Sequence, residues 1–212
     1  MSTLLRSRLH GKGVYAITDG PRPDLFAAVE AALAGGARLL QYRDKSGNAE
    51  RRRAEADELS RICARYEVPF IVNDDVELAK LTGGGVHLGR EDMSIAQARE
   101  ILGPDAIIGV SCYGSLERAR ELAGKGADYL AFGAMYPSPT KPHAPVAPHD
   151  VLTQVKALGL PVVAIGGLTP DNAKVVIDAG ADYLAVVSAI FAAADIQSAT
   201  RRFADLFTGT TR

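Results

Sequence analysis

This chain has no large excess of either charge, no long hydrophobic run and no tract of cysteines. Its 24 basic and 25 acidic side chains leave a formal net charge of -1. The two signs are interspersed, and there is no basic face or arm of the kind a dedicated nucleic-acid binder carries. The longest apolar stretches run to about five to eight residues, too short to cross a bilayer. The segment 1–11 has Arg6 and Arg8 but no apolar stretch after them, so it does not read as a secretory signal; a flexible extension or a short helix is expected there. The two cysteines, Cys63 and Cys112, stand far apart without metal-ligand spacing. Reduced, buried thiols in a cytoplasmic protein are expected. His10, His87, His143 and His149 show no zinc spacing, and no G-x-G-x-x-G follows any strand.

What is present is a hydrophobic fraction of 47% in 212 residues, which excludes a disordered or fibrous chain and fits one domain over 1–212. Short apolar runs at 14–17, 38–42, 69–72, 86–88, 106–110, 129–132, 162–165 and 183–187 read as strands. Helical stretches lie between them at about 24–34, 49–66, 76–81, 95–102 and 116–123, with further helices starting near Pro148, Pro170 and Ile196. Continuous apolar strands are buried on both faces, and strict alternation with helices makes them parallel. Eight such units predict a (β/α)8 TIM barrel. Similar joins recur before several strands: Ala34-Gly35-Gly36-Ala37, Gly126-Ala127-Asp128-Tyr129 and Gly180-Ala181-Asp182-Tyr183. An open doubly wound sheet is the rival, but Thr18-Asp19-Gly20-Pro21 stands where its glycine-rich turn would be.

Ligands bind such barrels at the C-terminal ends of the strands, and the polar motifs fall there. Gln41, Arg43 and Lys45 alternate after strand two, so two cations converge as a phosphate or pyrophosphate would require. The plainer reading is a solvated loop with Arg43 paired to an acid. Asp74, after strand three, and Asp92, after strand four, could share one cation, since Mg²⁺ is usually held by one or two carboxylates, phosphate oxygens and water. Against that, Asp75 or Asp92 could simply cap a helix. His87 reads more readily as a packed, hydrogen-bonded residue than as a catalyst. Gly166-Gly167 and Val187-Ser188 fall where these barrels commonly bind phosphate, although glycine there also suits a tight turn. The loop 134–148 holds Pro137, Pro139, Pro142, Pro145 and Pro148. A long loop on the working rim of a compact domain is usually functional, and it reads as a lid.

Taken together, Tyr15-Ala16-Ile17-Thr18-Asp19, Gln41-Tyr42-Arg43-Asp44-Lys45, Val72-Asn73-Asp74-Asp75, His87-Leu88-Gly89-Arg90-Glu91-Asp92, Gly109-Val110-Ser111, Tyr136-Pro137-Ser138-Pro139-Thr140-Lys141 and Ile165-Gly166-Gly167-Leu168 resemble the thiamine phosphate synthase family over nearly the whole chain. The resemblance implies joining 4-amino-2-methyl-5-hydroxymethylpyrimidine diphosphate to a 4-methyl-5-hydroxyethylthiazole phosphate, with release of pyrophosphate. It implies that Gln41, Arg43, Lys45, Asn73, Ser111 and Lys141 bind the pyrimidine diphosphate. Arg43, Lys45, Lys141 and Ser111 would act on the leaving group. Asp74 and Asp92 would hold Mg²⁺, and Ser138, Thr140, Gly167, Val187 and Ser188 would bind the thiazole phosphate. Its partners would be these small molecules, not nucleic acid or membrane, with a homo-oligomer left open. Arg90, Asp75, Tyr113 and Ser138 depart from residues frequent in the family (glutamine, arginine, histidine and threonine). Three other readings remain: a thiazole tautomerase, a sugar-phosphate isomerase on the same barrel, and a non-catalytic binder of thiamine precursors. The joint presence of Arg43, Lys45, Asp74, Asp92 and Lys141 favours the synthase.

Overall fold

The structure, a computed structural model, describes Leu9 and residues 11–137 and 145–209. Eight parallel strands close a barrel in sequence order: β1 Gly13–Ile17, β2 Ala37–Tyr42, β3 Phe70–Asn73, β4 Gly85–Leu88, β5 Ile108–Tyr113, β6 Tyr129–Phe132, β7 Val162–Ile165 and β8 Tyr183–Val186. Around them lie α1 Leu25–Ala34, α2 Ala49–Arg65, α3 Val76–Thr82, α4 Ile95–Leu102, α5 Leu116–Gly124, α6 Asp150–Val155, α7 Pro170–Asp178, α8 Ser188–Phe191 and α9 Ile196–Thr208. The expected barrel is therefore present. Strand five differs from expectation: it starts at Ile108 and runs on to Tyr113. An irregularity between Ser111 and Tyr113 lets it keep pairing with β6. The short helix α8 had no separate expectation beyond a helix N-terminus. No helix among the described residues is long and apolar enough to cross a membrane.

Alternation along each strand sorts side chains into two cores. Tyr15, Ile17, Leu39, Ile71, Ile107, Tyr129, Val163 and Tyr183 fill the barrel interior, with Leu9 among them. Ala16, Leu40, Tyr42, Val72, Val86 and Leu184 face outward into the layer beneath the helices. Both cysteines are free and buried.

Helix starts follow from the residues before them. Asn48, Asp75, Ser94, Ser115 and Asp195 each accept a backbone N–H from their helix's first turn. Ser94 does so within a reciprocal capping box with Gln97. Two of the recurring joins hold the strand starts by the same device. Asp128 accepts the N–H of Ile108 at 2.8 Å and pairs with Arg99 at 2.8 Å. Asp182 accepts the N–H of Val162 at 3.0 Å and pairs with Lys156 at 2.8 Å.

Candidate active site

The C-terminal strand ends gather the polar groups singled out in the sequence. Beyond β1, Thr18 clasps the end of β2: its hydroxyl accepts the N–H of Arg43 at 2.8 Å and donates to the Arg43 carbonyl at 3.1 Å. That fixes where Arg43 leaves the strand. The plainer reading of Arg43 as half of an ion pair finds no support among the described residues. Period two continues past the strand end. Asp44 points back into the helix layer, where Arg51 pairs with it at 2.5 Å. Burial works against the Asp44 charge, but the Arg51 bond, helped by Ser46, holds its carboxyl below the ordinary range. Lys45 points to the rim, 62% exposed, with its ammonium 3.4 Å from Asp74.

At the end of β3 the chain turns sharply. Asp74 has φ +64°, rare for a residue other than glycine. Its N–H donates to the His87 carbonyl at 2.9 Å, and the Asn73 side-chain amide donates to its carboxylate at 2.6 Å. The turn aims Asp74 at the rim while sending Asp75 away. Asp75 caps α3 and pairs with Arg52 at 2.9 Å, so the plain capping reading holds for Asp75. It does not hold for Asp92, because Ser94 caps the following helix. Asp92 instead closes its own loop by accepting the N–H of Gly89 at 2.6 Å, and its carboxyl neighbours that of Asp74. Burial, then the neighbouring Asp92 carboxyl, raise Asp74 above the usual aspartate value, and Lys45 opposes the rise. Two neighbouring carboxyl groups, with Lys45 beside Asp74, form a corner suited to a hard cation. No group of three or more histidine, cysteine or acidic side chains with metal-holding geometry exists among the described residues. Two carboxylates completed by ligand oxygens is the arrangement Mg²⁺ favours.

Tyr113, at the end of β5, braces this corner. Its hydroxyl accepts the N–H of Arg90 at 3.2 Å. The guanidiniums of Arg90 and Arg118 lie 5.0 and 5.8 Å from its ring centre. Arg118 also donates to the Ser111 carbonyl at 2.9 Å.

Beneath the rim runs a chain of polar groups of which Gln41, Ser111 and His87 were legible in the sequence and the two tyrosines were not. The Gln41 amide donates to Tyr15 Oη at 2.8 Å, and Tyr15 Oη meets Tyr129 Oη at 2.8 Å. Tyr129 Oη meets His87 Nδ1 at 2.9 Å, and His87 Nε2 meets Ser111 Oγ at 2.9 Å. His87 is thus packed and hydrogen-bonded, as its strand position suggested. Tyr15 and Tyr129 read from sequence as strand-core residues. The one signal that they are more is that a buried phenol requires a partner.

Across the rim, Gly166 and Gly167 have φ +103° and +63°. A Cβ on Gly167 would sit 2.6 Å from the Pro137 carbonyl oxygen, so the turn and the stem of the proline-rich loop are fitted to each other. Tyr136 and His149 meet edge-on at 5.1 Å, and the Ala147 N–H donates to the Ala134 carbonyl at 2.8 Å, which ties the two ends of that loop together. Val187 precedes α8 and Ser188 begins it. Arg22 reaches over from the β1 loop to donate to the Phe191 carbonyl at the other end of α8, at 2.7 Å. Ser138, Thr140 and Lys141 lie outside the described residues.

Fold and rim together define a (β/α)8-barrel enzyme whose strand ends carry cations, a carboxylate pair and glycine turns on one face. Residues 14–190 match the family described as thiamine monophosphate synthase. A thiamine-phosphate synthase of Thiobacillus denitrificans is 55% identical over 200 residues, covering 92% of this chain and 94% of its own length. One from Halorhodospira halophila is 54% identical over 192 residues, covering 90% and 91%. Among solved structures, a thiamine phosphate pyrophosphorylase from Pyrococcus furiosus superposes with a TM-score of 0.85 at 37% identity, covering 97% of this chain and 98% of its own. The chain belongs to the thiamine monophosphate synthase family.

Proposed function

We propose that this chain condenses 4-amino-2-methyl-5-hydroxymethylpyrimidine diphosphate with 4-methyl-5-(2-phosphooxyethyl)thiazole, giving thiamine phosphate and pyrophosphate. The observation that carries the reading is the Asp74–Asp92 pair beside Lys45, on the rim that also presents Arg43, Gln41 and Ser111. A tautomerase or a mere binder of the thiazole has no use for a carboxylate pair next to diphosphate-type cations.

Asp74 and Asp92 would hold Mg²⁺, and the donor set fits: two hard carboxylates to be completed by phosphate oxygens and water. When bound, the ion would neutralise charge that gathers on the departing pyrophosphate. Arg43 and Lys45 would bind that same group, Arg43 as a fork and Lys45 as a point charge. Ser111 would donate to a phosphate oxygen, and Gln41 and Asn73 would orient the pyrimidine. Lys141 would add a further cation from the proline-rich loop. Cleavage of the carbon–oxygen bond leaves a cation that the electron-rich aminopyrimidine delocalises, and the thiazole nitrogen then forms the new carbon–nitrogen bond. No protein nucleophile is needed, so positioning and electrostatics supply the catalysis. Ser138, Thr140, Gly167, Val187 and Ser188 would bind the thiazole phosphate, with backbone N–H groups at the glycine turn and at Ser188 turned toward it. Closure of the proline-rich loop would keep water from the cation.

The test is pyrophosphate release from purified protein. Release is expected only with both substrates and Mg²⁺, with thiamine phosphate as product, and Asp92→Asn should abolish it. Isomerisation of the thiazole phosphate alone, with no pyrophosphate, would refute the synthase reading.

A further inference from the structure

The polar chain beneath the rim has a direction. Tyr15 and Tyr129 are fully buried, so each hydroxyl must find its partners within the protein. Burial also pushes both phenols far above their ordinary range, which keeps them protonated. With Gln41 Nε2 donating to Tyr15 Oη, the proton of Tyr15 is left for Tyr129 Oη, a contact in which either oxygen could donate. Tyr129 in turn donates to His87 Nδ1, which must then be the unprotonated nitrogen. The imidazole proton therefore sits on Nε2 and is donated to Ser111 Oγ. The Ser111 hydroxyl proton is left for the rim. At the other end, Gln41 Oε1 has no hydrogen bond among the described residues, so it is left as an acceptor.

Turning the Gln41 amide over would reverse every member. Tyr15 would donate to Gln41, Tyr129 to Tyr15, His87 Nδ1 to Tyr129, and Ser111 to His87 Nε2. Gln41 would then offer N–H to the rim, and Ser111 only lone pairs. The two ends are thus locked in opposite senses through the fully buried Tyr15 and Tyr129 and the partly buried His87.

We infer that Tyr15, Tyr129 and His87 form a polarity relay that makes Gln41 an acceptor and Ser111 a donor at the same time. The relay selects a ligand with an N–H donor at the Gln41 end and an anion at the Ser111 end. This rests on the synthase reading for the identity of that ligand, an amino- rather than an oxo-pyrimidine diphosphate. An oxo group in place of the amine would demand N–H from Gln41, and the reversal would withdraw the Ser111 proton from the anion. Discrimination against the oxo compound therefore acts at both ends of the ligand. In this account Tyr15, Tyr129 and His87 are positioning residues.

Two measurements test the relay. Nitrogen-15 NMR of the unliganded full chain, with His87 assigned against a His87→Asn spectrum, should show neutral imidazole with its proton on Nε2. In Tyr129→Phe that preference should disappear. A proton on Nδ1, or a doubly protonated ring, in the unaltered chain would overturn the relay. The second measurement is the ratio of kcat/KM for the 4-amino and 4-oxo pyrimidine diphosphates. Tyr15→Phe and Tyr129→Phe cut the chain at different links, and each should lower that ratio by at least about tenfold, the worth of one hydrogen bond to a polar group. A purely structural loss would lower both rates and leave the ratio alone, and that result would overturn the proposal. If the unaltered chain turns over neither compound, the synthase reading fails, and the NMR measurement still decides the relay.

Discussion

Gly109 gives the sharpest mechanical test of the barrel interior. A Cβ built there would lie 1.8 Å from Cζ, 2.1 Å from Cε1 and 2.3 Å from Oη of Tyr129. Carbon atoms pack at about 3.5 Å, so the ring in Gly109→Ala would have to retreat by roughly 1.7 Å. It has little room to do so. His87 stacks against it with ring centres 5.6 Å apart, Tyr15 meets it edge-on at 5.9 Å, and its hydroxyl is held at 2.8 and 2.9 Å. Retreat breaks those two hydrogen bonds, and stranding buried partners costs about 1–3 kcal/mol each. Overpacking adds about 1–3 kcal/mol. The expected loss is on the order of 5 kcal/mol, a large part of a typical stability of about 5–15 kcal/mol. At about 2–4 °C per kcal/mol for a chain of this size, the melting temperature should fall by about 10 °C or more. Denaturant titration and thermal melting measure this directly. Tyr129→Leu removes the ring, so the double variant should lose clearly less than the two single losses combined. A Gly109→Ala protein within about 1 kcal/mol of the parent, or strict additivity in the double variant, would refute the reasoning.

Further outcomes follow from the rim. Asp74 is raised by burial and by Asp92, so it takes up a proton at a higher pH than an ordinary aspartate. The acid limb of the rate profile should lie correspondingly high and move to lower pH as Mg²⁺ is increased, because cation and proton compete; a limb indifferent to Mg²⁺ would detach Asp74 from the metal. For stability the sign is that of a raised acid: the penalty sets in as pH rises past the ordinary aspartate value and is complete above the raised one. Ser188→Ala should act mainly on KM for the thiazole phosphate, with kcat largely kept. Gly167→Ala should raise the same KM through its φ of +63° and its collision with the loop stem. A loss confined to kcat in Ser188→Ala would contradict a ground-state contact.

The barrel was legible because its strands are largely apolar and alternate with helices, several of which begin on a capping side chain. Asn73 and Asp74 could be placed at the end of β3 for the same reason. The turn that separates Asp74 from Asp75 could not, because a single left-handed residue at Asp74 decides that it faces the rim while Asp75 turns to Arg52. Strand five was read short because the irregularity near Cys112 leaves no trace in hydrophobic pattern. The Tyr15–Tyr129 pair was invisible for a plainer reason: its members stand 114 residues apart, each inside an ordinary strand sequence, and only closure of the barrel brings them together.

The aspartates that precede β6 and β8 bear on how the chain reaches its fold. Parallel barrels are built from non-local pairings, which form slowly and leave time for strands to meet out of step. A slip of one residue turns every side chain to the opposite face. For β5 against β6, it would carry Asp128 away from the Ile108 N–H and from Arg99; for β7 against β8, it would carry Asp182 away from Val162 and Lys156. A misaligned pair thus strands a carboxylate, an amide and a cation together, which costs free energy relative to the native register. The two salt-bridged aspartates therefore favour the native strand alignment over a one-residue slip in the second half of the barrel, at the end opposite the rim.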